Sequence, residues 1–238
     1  GLLFLRVPVA MAMLLVGFFG TVAINGYTAA LTALGTESFE ISVTLTLTVI
    51  PLFVLMGNLA GVSGMSRDLF NAAYSWVGHW RGGLASATIA GCAGFAALSG
   101  SSIASAVTMG RVALPEMKRF KYGDSLATGA VAAGGTLGIL IPPSTGLIIY
   151  AILTEQSIGR LFMAGIIPGI LLTCLFLLAI AIVTKINPEI GPVGPESSFI
   201  EKIKSLRRAF AMVAIVVATI GGIYMGIFTP VEAAGVGA

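Results

Sequence analysis

Residues 82–110 read GGLASATIAGCAGFAALSGSSIASAVTMG, and residues 134–145 read GGTLGILIPPST. The first stretch holds no charged residue, yet Ser99-Gly100-Ser101-Ser102 interrupts it with small polar residues. Ile141-Pro142-Pro143-Ser144 interrupts the second in the same way. At bilayer depth, backbone that leaves the helix must be buried in protein or line a polar cavity, because lipid satisfies no amide. Discontinuous helices of this kind mark substrate and ion sites in secondary transporters.

The rest of the chain supports a membrane setting. Hydrophobic residues make up 57% of the 238 residues and charged residues 10%, with a mean hydropathy of +1.01. A soluble domain carries about 25% charge. Several uncharged runs approach or exceed the ~20 residues that span a bilayer. The fold class expected is therefore an all-α polytopic membrane protein. The net charge of +3 does not point to nucleic acid, since the basic residues lie between apolar runs and act as topology signals.

Working outward from the two breaks gives an organisation. Residues 1–65 read as scaffold-type membrane helices: Gly1–Leu5 as the stump of a span, Val9 to Leu31 as a full span, a loop with Glu37 and Glu40, then Ile41 to Val62. Residues 66–81 have apolar positions at helical spacing and two tryptophans, which predicts an amphipathic arm lying in the membrane interface. Residues 82–160 form a transport-type region, with a re-entrant hairpin over 82–115 and a broken helix over 123–154. A span over 161–184, a cytoplasmic loop over 185–208 and a further helical start over 209–238 complete the chain.

Charge decides between a straight span and a hairpin at 82–115. A straight span places Arg111, Lys118, Arg119 and Lys121 opposite Arg67 and Arg81. A hairpin keeps both groups on one face, and then twelve of the thirteen Lys and Arg share that face, with Arg160 alone on the other. The positive-inside rule favours the hairpin. Each limb of about 14 residues reaches about 20 Å, which is mid-membrane. The broken helix is needed for a related reason: about 31 residues would run about 46 Å unbroken, and proline removes a donor and clashes with the preceding turn.

The spans hold almost no ionisable groups. Proton relays use such groups. His79 is the single histidine and reads as a polar-face residue; Cys92 and Cys174 read as small packing residues. No metal-ligand cluster or phosphate-binding glycine loop is present in the sequence, so catalysis is not expected. What the spans offer is oxygen. Ser99, Ser101, Ser102 and Ser144 are the candidate sodium ligands, since hard cations favour oxygen. Gly100, Thr136, Pro142, Pro143, Thr145 and the Asn58 amide join them as candidate substrate or ion contacts. Small residues in membrane helices also serve close packing; the charge argument, which puts Ser99–Ser102 at a hairpin tip, favours a site. A channel or facilitator, or a scaffold subunit without a site, are the alternative functions.

Pro230-Val231-Glu232-Ala233-Ala234 echoes Pro8-Val9-Ala10-Met11-Ala12. On opposite membrane faces these would begin two inverted repeats, the chain holding one unit and the start of the next.

Three stretches resemble the large membrane subunit of tripartite ATP-independent periplasmic (TRAP) transporters: Phe95–Ala106, Gly134–Ser144 and Gly226–Ala234. The similarity runs over nearly the whole chain and covers the first half of that subunit. It implies an elevator-type secondary transporter of the bacterial inner membrane, importing organic anions such as C4-dicarboxylates, keto acids or sialic acid by sodium symport. It also implies a small membrane subunit (DctQ-like) and a soluble periplasmic substrate-binding protein as partners. Ser99–Ser102 and the region around Pro142–Thr145 would contribute to the sodium and substrate site, and residues beyond this chain would supply the other half.

Overall fold

The computed structural model describes residues 7–43 and 45–238. Gly1–Leu5, read above as the stump of a span, lies outside the described residues. All regular structure among the described residues is helical. The chain divides into two units, Gly1–Thr48 and Val49–Ala238.

In the first unit, α1 (Val9–Asn25) starts after Pro8, and α2 (Tyr27–Val43) follows a single residue. Gly26 makes that break with φ +88° and ψ 165°, a conformation that glycine reaches at little cost. The Phe18 and Tyr27 rings meet edge-on across it, 6.3 Å apart. The sequence reading put a span through Leu31 and a loop at Glu37 and Glu40. Instead, the helix stops at Asn25, and both glutamates ride exposed on α2. The Ala-Leu-Thr-Ala-Leu segment before them consists mostly of good helix formers, and exposed glutamate is well tolerated in a helix.

The second unit begins with α3 (Val49–Val62) and α4 (Met65–Val77), bent 66° from one another. Gly64 takes φ +85° at the bend. α3 is thus shorter at its start than the 41–62 span expected. α4 buries Ser66, Phe70 and Ala72 and leaves Trp76 48% exposed. It stops at Val77 rather than Arg81, because Gly78 and Gly82-Gly83 follow.

At the centre stands α5 (Gly83–Ser99), nearly every residue of which is buried. Its Gly, Ala and Ser content lets neighbours approach closely. A Cβ on Gly91 would meet the Met109 Cε at 3.1 Å, and one on Gly134 would meet the Cys92 sulfur at 2.7 Å. α6 (Ser102–Arg119) folds back along α5, so Gly91 and Met109 touch although 18 residues apart. α7 (Asp124–Leu140) and α8 (Thr145–Leu153) flank this pair as one interrupted segment of 30 residues.

α9 (Ile158–Ile186) and α10 (Phe199–Tyr224) are long and apolar, and α11 (Pro230–Gly237) follows. Among the described residues, three segments are long and apolar enough to cross a membrane, or four if the bent α3–α4 pair is one span. Residues 185–208 are not loop throughout. Glu201 accepts a hydrogen bond from the Ser198 N–H at 3.0 Å, starting α10 there, so Lys202 to Arg208 sit on its first turns. The remaining segment straps the hairpin base: Gly82 N–H donates to Gly191 O, Gly123 N–H to Ile190 O and Gly194 N–H to Gly78 O.

Candidate functional site

The hairpin tip is built by two residues with opposite backbone demands. α5 ends at Gly100, which is left-handed (φ +58°) with its N–H donating to Ala96 O. Ser101 is extended (φ −132°, ψ 126°) and its hydroxyl accepts from the Ala104 N–H, capping α6. The break between α7 and α8 repeats the device. Ser144 is extended (φ −122°, ψ 127°), and its hydroxyl accepts from the Leu147 N–H while donating to Ile139 O. Serine suits both positions because an N-cap oxygen satisfies an otherwise orphaned helix amide.

The tip and the break are joined. Gly100 O accepts from the Thr145 N–H at 3.1 Å and from the Thr145 hydroxyl at 2.9 Å. The approach requires small residues around it. A Cβ on Gly100 would sit 2.6 Å from Pro143 O, one on Gly138 2.7 Å from the Ser101 carbonyl, and one on Gly57 2.6 Å from the Ser99 Cα. Each of those contacts is to backbone or the root of a side chain, which cannot swing aside.

Inside the tip, the Ser99 and Ser105 hydroxyls share a buried hydrogen bond of 2.8 Å. The Ser102 hydroxyl is buried with no hydrogen-bond partner. An orphaned buried hydroxyl costs about 1–3 kcal/mol, so this oxygen is open to a ligand or a water. The C-terminal ends of α5 and α7, which carry partial negative charge, meet the N-terminal ends of α6 and α8, which carry partial positive charge. Carbonyl and hydroxyl oxygens here suit a hard cation, and the N-terminal amides suit an anionic group. Among the described residues no set of three or more His, Cys, Asp and Glu side chains is grouped as metal ligands.

Of the residues singled out from sequence, the structure gathers Ser99, Gly100, Ser101, Ser102, Pro142, Pro143, Ser144 and Thr145. Two stand apart. Thr136 is exposed on α7 and donates to Ala133 O of its own helix at 2.6 Å. Asn58 is exposed and lines a different cavity with Arg67 and Arg111, although its neighbour Gly57 presses on Ser99. Ser105 and Gly57 were not among the expected site residues, and the Gly134–Gly138 run fits helix packing and cavity lining equally from sequence; the structure sets Gly138 against the Ser101 backbone. Ser105 follows Ser101 at one helical turn, and Gly134, Gly135 and Gly138 repeat at helical spacing; both were visible patterns.

The family description "Tripartite ATP-independent periplasmic transporter, DctM component" matches residues 1–238. The chain belongs to the DctM family. It is 43% identical over 206 residues to the C4-dicarboxylate TRAP transporter large permease protein DctM of Pseudomonas aeruginosa, covering 87% of this chain and 48% of that protein. It is 37% identical over 241 residues to the sialic acid permease SiaM of Vibrio cholerae, covering 99% and 54%. The ectoine/5-hydroxyectoine permease UehC of Ruegeria pomeroyi is 37% identical over 185 residues, 78% and 43%. The chain spans about half the length of the DctM relatives it matches. Those relatives are membrane transporter permeases, and the substrates in their names differ.

Proposed function

We propose that this DctM chain forms half of the transport unit of a sodium-coupled importer of organic anions, moving its hairpin region across the bacterial inner membrane as an elevator. The α5–α6 hairpin enters the membrane from the cytoplasmic face and turns back at Gly100. Sodium rests on oxygens of Ser99, Ser101, Ser102 and Ser144 with freed backbone carbonyls. The anionic group of the substrate faces the starts of α6 and α8. A small membrane subunit and a periplasmic binding protein complete the system, as the word "tripartite" in the family description suggests. The inverted repeat begins again at α11, which starts at Pro230 with a capping box from Thr229 and Glu232.

The observation that carries this reading is the unpaired Ser102 hydroxyl, buried where the hairpin tip meets the helix break. The energetics are sufficient. One charge moving inward through 100 mV releases about 2.3 kcal/mol, so two sodium ions release about 4.6 kcal/mol before the substrate's charge is subtracted. Tenfold accumulation needs about 1.4 kcal/mol.

Ser102→Ala tests the reading cleanly, because it removes no hydrogen bond within the chain. In the complete transporter in proteoliposomes, it raises the sodium concentration needed for half-maximal uptake about tenfold, and expression is unchanged. An unaltered sodium dependence overturns the assignment. Uptake that never exceeds equilibrium in the unmutated protein makes it a facilitator instead.

A further inference from the structure

Beside the hairpin, reaching from Gly57 and Ala104 near its tip to Arg67 and Arg111, lies a cavity of about 500 Å³. Asn58 of α3, Ser66 and Arg67 of α4, and Thr108 and Arg111 of α6 line it, and no acidic residue does. Ser66 is 3% exposed and lines the cavity. α4 starts at this cavity with Gly64 as its cap, and no side chain satisfies its first amides. Neither arginine has a carboxylate partner: the one ion pair among the described residues is Arg119 with Glu116.

A positive-inside bias explains why arginines occur on this face. It does not explain why two of them share one concave space with the Ser66 and Thr108 side chains, an amide and a helix start that no side chain caps. Every one of those groups donates hydrogen bonds. Guanidinium forks match oxyanions in a way that lysine does not, and a helix start adds favourable field. The donors outnumber what the two oxygens of a carboxylate accept, which favours the larger oxygen set of a phosphate. The amphipathic α4, with Trp76 exposed, has the residue pattern of an interfacial helix, which would sit at headgroup level.

We propose that this cavity is a phosphate-binding site in which Arg67 and Arg111 hold one phosphate group between α4 and the hairpin. The group comes either from a phospholipid headgroup or from free phosphate. The proposal is independent of the sodium assignment, and its test reads binding rather than uptake.

The complete large subunit is purified in a phosphate-free maltoside detergent, and its thermal unfolding is followed with and without inorganic phosphate at constant ionic strength. A parallel set adds phosphatidylglycerol to the micelles. Stabilisation by inorganic phosphate identifies free anion; stabilisation by phosphatidylglycerol alone identifies a headgroup. Arg67→Gln and Arg111→Gln each weaken the effect about tenfold, while Lys118→Gln, off the cavity, retains it. Arg67→Lys and Arg111→Lys, which keep the charge but lose the fork, weaken it too and stand in if the Gln variants do not fold. The absence of stabilisation in both sets, or stabilisation that the Arg67 and Arg111 variants retain in full, overturns the proposal.

Discussion

α5 and α9 are both apolar helices, and they do opposite things. α5 is built of Gly, Ala and Ser with few large side chains, and it is buried on nearly all sides by its own chain. α9 is built of Ile and Leu, and Ile167, Ile170, Leu171, Leu175, Leu178 and Ile182 stand exposed along it. In lipid there is no hydrophobic drive to bring helices together, so small residues decide where backbones pack and large ones face the hydrocarbon. Apolarity alone therefore places a segment in the membrane, while residue size says whether it meets protein or lipid. The candidate site sits where the small-residue helix ends.

This contrast can be broken at graded points. The largest effect is expected at Gly138, whose Cβ would strike the Ser101 backbone. Gly138→Val forces the hairpin tip off the broken helix, at about 3 kcal/mol or more; a fall in folded yield and unfolding midpoint measures it. Next is Tyr122, buried at the hairpin base, which accepts from the Leu84 N–H at 3.2 Å and donates to Pro192 O at 2.9 Å. Tyr122→Phe strands both groups and costs about 1–3 kcal/mol, read as a lower unfolding midpoint.

The same tyrosine gives a pH dependence. Burial raises its pKa above the ordinary tyrosine value, so the folded chain favours the neutral phenol. Its contribution is complete below the ordinary value and declines as pH rises past it. Tyr122→Phe removes that alkaline decline, which unfolding measured across alkaline pH checks. Thr145→Val deletes the hydroxyl bond to Gly100 O but keeps the backbone bond, and costs about 1 kcal/mol. The smallest effect belongs to the exposed face of α9, where Leu175→Val stays within about 0.5 kcal/mol. A loss there as large as at Gly138 would erase the distinction between the two helices.

Much of the fold was legible because glycine and proline act locally. Gly100 and Pro142-Pro143 end helices through their own backbone chemistry, so the breaks at the tip and within the 123–154 segment stand in the sequence. Gly26 carries the same kind of signal, but a single glycine inside a long apolar run does not by itself distinguish a break from a tolerated helix residue. The face that a residue presents is less legible. Thr136 and Gly138 lie two positions apart on α7, and only the packed hairpin reveals that the glycine faces the tip while the threonine faces away. The basic segment Lys202 to Arg208 reads as loop from its charge, and the Ser198–Glu201 hydrogen bond that starts α10 before it becomes evident in the structure. Ser99 to Ser102 and Ser144-Thr145 could be named as a group, but their hydrogen bonds to Gly100, Ser105 and Ile139 join residues that only the fold brings together.

The re-entrant hairpin is tested most directly by the sidedness of its two ends. Single cysteines at Arg81 and Lys118, in the otherwise cysteine-free transporter in sealed oriented vesicles, are exposed to a membrane-impermeant thiol reagent. Both positions are expected to react only from the cytoplasmic side. Reaction of Arg81→Cys from one side and Lys118→Cys from the other would mean that the segment crosses the membrane, and the turn at Gly100 would not lie within it.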